Sequence, residues 1–176
     1  MPHVIERAVS GRAKCRACGE KLSAGEMRFG ERVPNPFADE GSETTHWYHV
    51  ACAAYTRPEA FLSAEAPAEG TEPRPDLHHD AQLAAAHHRL SRVRAAERAP
   101  TGRATCRSCR KPIGKDTWRL ALAFYEDGRF SPSGYIHAGC ASAYLETTDV
   151  MNRLKYFSRS LGDADFAEIQ AALISN

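Results

Sequence analysis

Apolar positions in this chain come in short runs, and two periods take turns along it. Residues 3–9, His-Val-Ile-Glu-Arg-Ala-Val, alternate loosely and predict a short strand that Ser10-Gly11 ends. Residues 26–33, Glu-Met-Arg-Phe-Gly-Glu-Arg-Val, predict a second strand, with Met27 and Phe29 on one face and Arg28 on the other. A loop rich in Pro, Asn, Asp and Gly follows over residues 34–44, with Phe37 alone in it. His46-Trp47-Tyr48-His49 predicts a returning strand, and Cys52-Ala53-Ala54-Tyr55 the start of a helix. Residues 63–75 read as a Pro/Glu/Ala-rich linker. The period then turns helical, with Leu77, Leu83, Ala86 and Leu90 on one side of a helix expected over residues 76–90. A last helix is expected over residues 163–174, where Phe166, Ile169, Ala172 and Leu173 share a face; Phe157 and Leu161 are expected to pack beside it.

This order of elements occurs twice. Glu6-Arg7-Ala8 and Ser10-Gly11-Arg12-Ala13 precede Cys15-Arg16-Ala17-Cys18. Glu97-Arg98-Ala99 and Thr101-Gly102-Arg103-Ala104 precede Cys106-Arg107-Ser108-Cys109 in the same register. Gly25-Glu26-Met27-Arg28-Phe29 returns as Asp116-Thr117-Trp118-Arg119-Leu120. His49-Val50-Ala51-Cys52 closes the first copy and His137-Ala138-Gly139-Cys140 the second. The second loop, residues 126–134, is shorter than its counterpart and carries Phe130. Two tandem modules follow, 1–91 and 92–176, with the 63–75 linker joining the first core to its own trailing helix. The expected class is α+β, each module a short antiparallel sheet with flanking helices. A duplicated unit of this size implies a duplicated function or two complementary halves of one.

All six cysteines fall inside the two motifs. Each copy offers three thiolates and one imidazole, the donor set of a closed tetrahedral structural zinc site. The expected ligands are Cys15, Cys18, His49 and Cys52 for one Zn2+, and Cys106, Cys109, His137 and Cys140 for a second. Three disulfides in a secreted protein are the other reading of six cysteines. The absence of an apolar leader after Met1, and histidines at ligand spacing, weigh against it. Modules of about 85–90 residues bury a small fraction of their surface, and a metal staple offsets that shortage. His78-His79 and His87-His88 are neighbours in sequence, do not share a helix face, and are read as a polar, solvated surface. No stretch approaches the ~20 apolar residues of a membrane helix. The expectation is a soluble, intracellular monomer in a reducing compartment: nucleoid or cytoplasm in a bacterium, nucleus in a eukaryote.

The net charge of +1 hides a pattern. Residues 1–32 carry seven Lys/Arg against four Asp/Glu, and residues 89–119 carry ten against two. Residues 39–80 carry two against nine. The basic blocks are centred on the two CxxC turns, which points to a basic face and an acidic edge.

At this level of detail the chain resembles a known family. CxxC, about thirty residues, then HxxC, preceded by Gly-Arg-Ala and containing His46-Trp47-Tyr48-His49, is similar to the DNA-break-sensing zinc finger of poly(ADP-ribose) polymerase, also carried by DNA ligase III. Both halves resemble it; the second departs where Gly134-Tyr135-Ile136-His137 replaces His-Trp-Tyr-His. The resemblance implies binding to nicks, gaps and ends without sequence preference. It implies that Arg12 and Arg103 hold backbone phosphate and that Arg28 and Arg119 match a second phosphate-contacting arginine. Phe37, and Thr44 near it, fall where the family stacks on the terminal base pair; Phe130 with Pro132 is the equivalent pair in the second copy.

The physical chemistry stands beside the resemblance. A positive strip gains affinity for phosphate by counterion release, whatever the base sequence. A break exposes base faces that intact duplex buries, and an aromatic ring can cap one. Both metal sites are fully ligated by protein, so no position is open for a catalytic water. No Walker loop, GxGxxG or GxSxG occurs. The expectation is a non-enzymatic sensor or adaptor whose partners are broken DNA and a repair enzyme. The alternative is a zinc-stabilised protein-interaction adaptor, since CxxC…HxxC is half of a LIM pattern.

Overall fold

The computed structural model describes residues 2–35, 37–39, 41–65, 75–126 and 129–175. The chain divides into two compact units, one ending at Ala86 and one beginning at His87.

In the first unit, β1 (Val4–Arg7), β2 (Met27–Pro34) and β3 (Glu43–His49) form an antiparallel sheet in that order. β2 pairs Phe29 with Tyr48, Gly30 with Trp47 and Arg28 with His49. Side chains alternate across a strand. Phe29 and Tyr48 therefore enter the core, while Arg28 and His49 share the other face. The core is aromatic: Phe29 lies 6.0 Å from Tyr48 and 6.1 Å from Phe61, ring centre to ring centre. Three helices cover it: α1 (Val50–Thr56), α2 (Pro58–Leu62) and α3 (Pro75–Ala86). Two carboxylates, Glu31 and Asp80, enter this core with partners. The Tyr48 hydroxyl donates to Glu31 at 3.1 Å and Arg57 Nε to the same carboxylate at 2.9 Å; the Tyr55 hydroxyl donates to Asp80 at 2.9 Å. A buried carboxylate without such partners would be costly.

The helix expected over residues 76–90 stops at Ala86. Leu90, read as its last apolar position, is instead buried in a 3-10 turn (Leu90–Arg92) of the second unit. The buried face of α3 is Leu77, Asp80, Ala81 and Ala84, whereas Ala86 is exposed. Small alanines let α3 approach α1 and α2 closely, and Asp80 is carried in by its bond to Tyr55. Residues 66–74 of the predicted linker lie outside the described residues.

In the second unit, β4 (Val93–Arg98), β5 (Trp118–Glu126) and β6 (Arg129–His137) form the sheet, with β4 antiparallel to β5. A 3-10 turn (Ala138–Cys140), α4 (Ala141–Leu145), α5 (Met151–Phe157) and α6 (Asp163–Ile174) follow. Leu120, Leu122, Ile136, Leu154, Ile169 and Leu173 are buried. The last helix spans the residues its period predicts, and Asp165 accepts the Gly162 N–H at 3.0 Å to cap its start. The segment read as a loop over residues 126–134 is different: its described residues, 126 and 129–134, are strand. Tyr125 and Phe130 pack across this hairpin, and Pro132 is tolerated because β6 is an edge strand.

Candidate metal centres and the surface around them

Each CxxC turn is built by the same backbone bonds. Cys15 N–H donates to Glu20 O at 2.8 Å and Gly19 N–H to Cys15 O at 2.8 Å. In the second unit Cys106 N–H donates to Lys111 O at 2.9 Å and Arg110 N–H to Cys106 O at 3.0 Å. The turn needs a left-handed residue, supplied by Gly19 at φ +78° and by Arg110 at φ +62°. Each turn is tied to the returning strand: Arg16 N–H donates to Trp47 O, Arg107 N–H to Tyr135 O, each at 2.9 Å. The His49 and His137 amides donate to the Cys15 and Cys106 sulfurs at 3.4 Å.

These bonds bring the predicted ligands together. Cys15, Cys18, His49 and Cys52 form one cluster and Cys106, Cys109, His137 and Cys140 the other, with donor atoms within 4.8 Å of one another. His49 Nδ1 lies 3.3 Å from Cys18 Sγ and 3.9 Å from Cys52 Sγ; His137 Nδ1 lies 3.4 Å from Cys109 Sγ and 3.7 Å from Cys140 Sγ. Tetrahedral Zn–S and Zn–N bonds imply S···N separations of roughly 3.6 Å. The donor set, its geometry and its closure therefore fit two zinc ions. With Nδ1 turned to the metal, Nε2 carries the proton and faces outward. It meets Glu26 Oε1 at 3.7 Å in the first unit and Pro112 O at 3.1 Å in the second.

The thiols share one small volume, and their acidities separate. A hydrogen bond from Cys52 lowers Cys15 to about 3, and the Lys111 amide lowers Cys109 to about 7. Burial pushes Cys140 up to about 12, and a hydrogen bond with Cys15 raises His49 to about 9. Metal-free clusters thus retain protons at neutral pH that zinc must expel, so zinc affinity rises with pH and falls with acid.

The structure sorts the predicted DNA-contacting residues into three kinds. Arg12 and Arg103 are exposed, and neither side chain has a partner among the described residues. Arg28 and Arg119 are 9% and 6% exposed. Arg28 is bonded to Glu6 at 2.6 Å with its guanidinium 3.5 Å over the Trp47 ring; Arg119 Nε is bonded to Glu97 at 2.9 Å, with its guanidinium 3.5 Å over Tyr135. Tyr135 thus does for Arg119 what Trp47 does for Arg28, and the departure from His-Trp-Tyr-His leaves this stack intact. The third kind is aromatic. Phe37 is 94% exposed between β2 and β3, its amide donating to Asn35 Oδ1 at 3.1 Å. Thr44 is half-buried on β3 opposite Val33. Phe130 is half-buried on β6, 4.8 Å from Tyr125 and 4.6 Å from the Arg94 guanidinium, and Pro132 is exposed on the same strand.

The carboxylate and aromatic partners of these arginines do not show in the hydrophobic pattern. One trace was available: Glu6 and Glu97 recur with Arg-Ala in both copies. Gly30 is the other hidden member, because it lies opposite Trp47 and a β-carbon there would stand 2.7 Å from that ring. Gly30→Ala is expected to push Trp47 off Arg28 and cost about 1–3 kcal/mol of stability by overpacking. Thermal unfolding followed by fluorescence checks this; an unchanged midpoint contradicts it.

Residues 6–84 match the family described as Poly(ADP-ribose) polymerase and DNA-Ligase Zn-finger region. This segment is a zinc finger of that family. A 51-residue stretch is 37% identical to Poly [ADP-ribose] polymerase 1 of Gallus gallus. That stretch covers 29% of this chain and 5% of the relative, so the similarity concerns a small part of the longer protein. The second unit repeats the finger's CCHC cluster, knuckle turn and arginine–aromatic stack. No helix among the described residues is long and apolar enough to cross a membrane.

Proposed function

We propose that this chain binds DNA strand breaks, whether nicks, gaps or ends, without sequence preference, and acts inside the cell as a non-enzymatic sensor or adaptor for a repair enzyme. The observation that carries this reading is Phe37. A ring 94% exposed on a hairpin rooted in a zinc cluster has no role in its own core. Water is a poor environment for it, and an unstacked base pair is a good one. Membership of residues 6–84 in the polymerase and ligase finger family supports the same partner.

The metal in this reading is a frame. It fixes the turns that carry Arg12 and Arg103 and the strands that carry Arg28 and Arg119. Arg12 and Arg103 take phosphate directly, with their full donor sets available. Arg28 and Arg119 are held by Glu6 and Glu97 through Nε and one terminal nitrogen, so each offers phosphate only its remaining edge. The carboxylate and ring beneath pre-order that edge at low entropic cost. Phosphate contacts position the protein on the backbone, while the exposed base face distinguishes broken from intact DNA.

The test is a salt titration of binding to nicked duplex. Arg12→Ala and Arg103→Ala are each expected to weaken binding and to reduce the magnitude of the log K against log [salt] slope by about 1. An unchanged slope removes that arginine from the phosphate contacts. Failure to bind any DNA at low salt contradicts the function itself and leaves a protein-interaction adaptor in its place.

A further inference from the structure

The two zinc-anchored hairpins are not equivalent. In the first unit β2 ends at Pro34 and β3 begins at Glu43, and Phe37 stands on the connection between them. In the second, β5 runs to Glu126 and β6 begins at Arg129; Asp127 and Gly128 between them bring no ring. The aromatics near the turn of that hairpin, Phe124, Tyr125 and Phe130, belong to strands; Phe124, the most exposed of them at 39%, lies under the Arg92 guanidinium at 3.9 Å. Phe130 is engaged by Tyr125 at 4.8 Å and by the Arg94 guanidinium at 4.6 Å. Capping a base would forfeit an aromatic pair and a cation–π contact, together worth about as much as the stack gained. Pro132 is exposed but has no π-face.

The knuckles differ in the opposite sense. Where the first has Gly19, Glu20 and Ala24, the second has exposed Arg110, Lys111 and Lys115; the first has Lys14 and Lys21 where the second has Thr105 and Pro112, so residues 103–115 carry five Lys/Arg and no acid against four and Glu20 over residues 12–24. This surface suits a phosphate backbone and offers nothing to a base.

We propose that break recognition by this chain is asymmetric: the first unit alone caps a terminal base pair, through Phe37, while the second grips flanking duplex backbone. The ligand is then one exposed base-pair face with its adjoining duplex, rather than two faces held apart. This rests on the break-binding function above.

The experiment uses the full, zinc-loaded chain and three DNAs of equal length: a hairpin with one blunt end, a dumbbell with one nick, and a closed dumbbell. Wild type is expected to bind the blunt hairpin and the nicked dumbbell within about fivefold of each other, both tighter than the closed dumbbell. Phe37→Ala is expected to abolish both preferences. Phe130→Ala and Pro132→Ala are expected to preserve them, and Phe130→Leu, which keeps the apolar packing, guards against misfolding of the alanine variant. The asymmetry is overturned if a Phe130 or Pro132 variant that still holds two zinc ions loses the preference, or if the nick is bound more than about fivefold tighter than the blunt end. Equal wild-type affinity for all three DNAs instead overturns the break-binding function on which it rests.

Discussion

Removing zinc is expected to unfold this protein rather than loosen it. Structural zinc contributes an apparent ~10–16 kcal/mol at neutral pH, comparable with or larger than the ~5–15 kcal/mol that holds a whole domain together. Each cluster joins the knuckle turn to the start of the segment that follows the sheet, Cys15 to Cys52 and Cys106 to Cys140. Without the ion, three thiols and an imidazole crowd one volume with partial charge and trapped protons. Each unit contains one of the two tryptophans, Trp47 and Trp118. Cys15→Ala is therefore expected to lower bound zinc from two ions to one and to shift Trp47 emission to the red. Trp118 in the second unit should stay buried. Chelation of the wild type should expose both, with loss of near-ultraviolet dichroism. A chelated protein that keeps its dichroism and melting point contradicts the staple role of the metal. Acid should have the same effect as chelator, because protons compete with zinc for the thiolates and for His49; stability is retained on the alkaline side and lost as pH falls.

Phe37→Ala is expected to remove the discrimination between broken and intact duplex while leaving zinc content and melting temperature in place. Its ring is 94% exposed and contributes nothing to the core, so folding has no stake in it. Stacking on one base is worth about 1–3 kcal/mol, which corresponds to about 5- to 150-fold in Kd. In the proposed function, closed duplex is held by the arginines, so that binding should change little. A structural role for Phe37 would instead show as a lowered melting point with discrimination retained.

The ligands were legible because zinc chemistry demands particular residue types at particular spacings, and nothing else in the chain satisfies both. The strands around them were legible from alternation, since Phe29 and Tyr48 face a core while Arg28 faces away. What alternation cannot show is which distant group meets the outward side chain. Arg28 finds Glu6 on β1 and Trp47 on β3, and Gly30 makes the room. Those contacts depend on strand register, and they turn a surface cation into a buried, pre-ordered one. The end of α3 was misread because Leu90 continues a helical period in sequence yet belongs to another core. The second hairpin was misread because Gly, Pro and Ser signal a loop, whereas Tyr125 against Phe130 and an edge position for Pro132 favour strand.

The central claim is that exposed base faces, not charge alone, select the ligand. Competition between a nicked circle and a covalently closed circle of identical sequence and length, at one near-physiological salt concentration, tests it most directly. The zinc-loaded chain is expected to prefer the nicked circle by at least about fivefold, with the margin surviving added salt because stacking releases no counterions. Equal competition by the two circles, or a preference that vanishes as salt rises, would contradict the account.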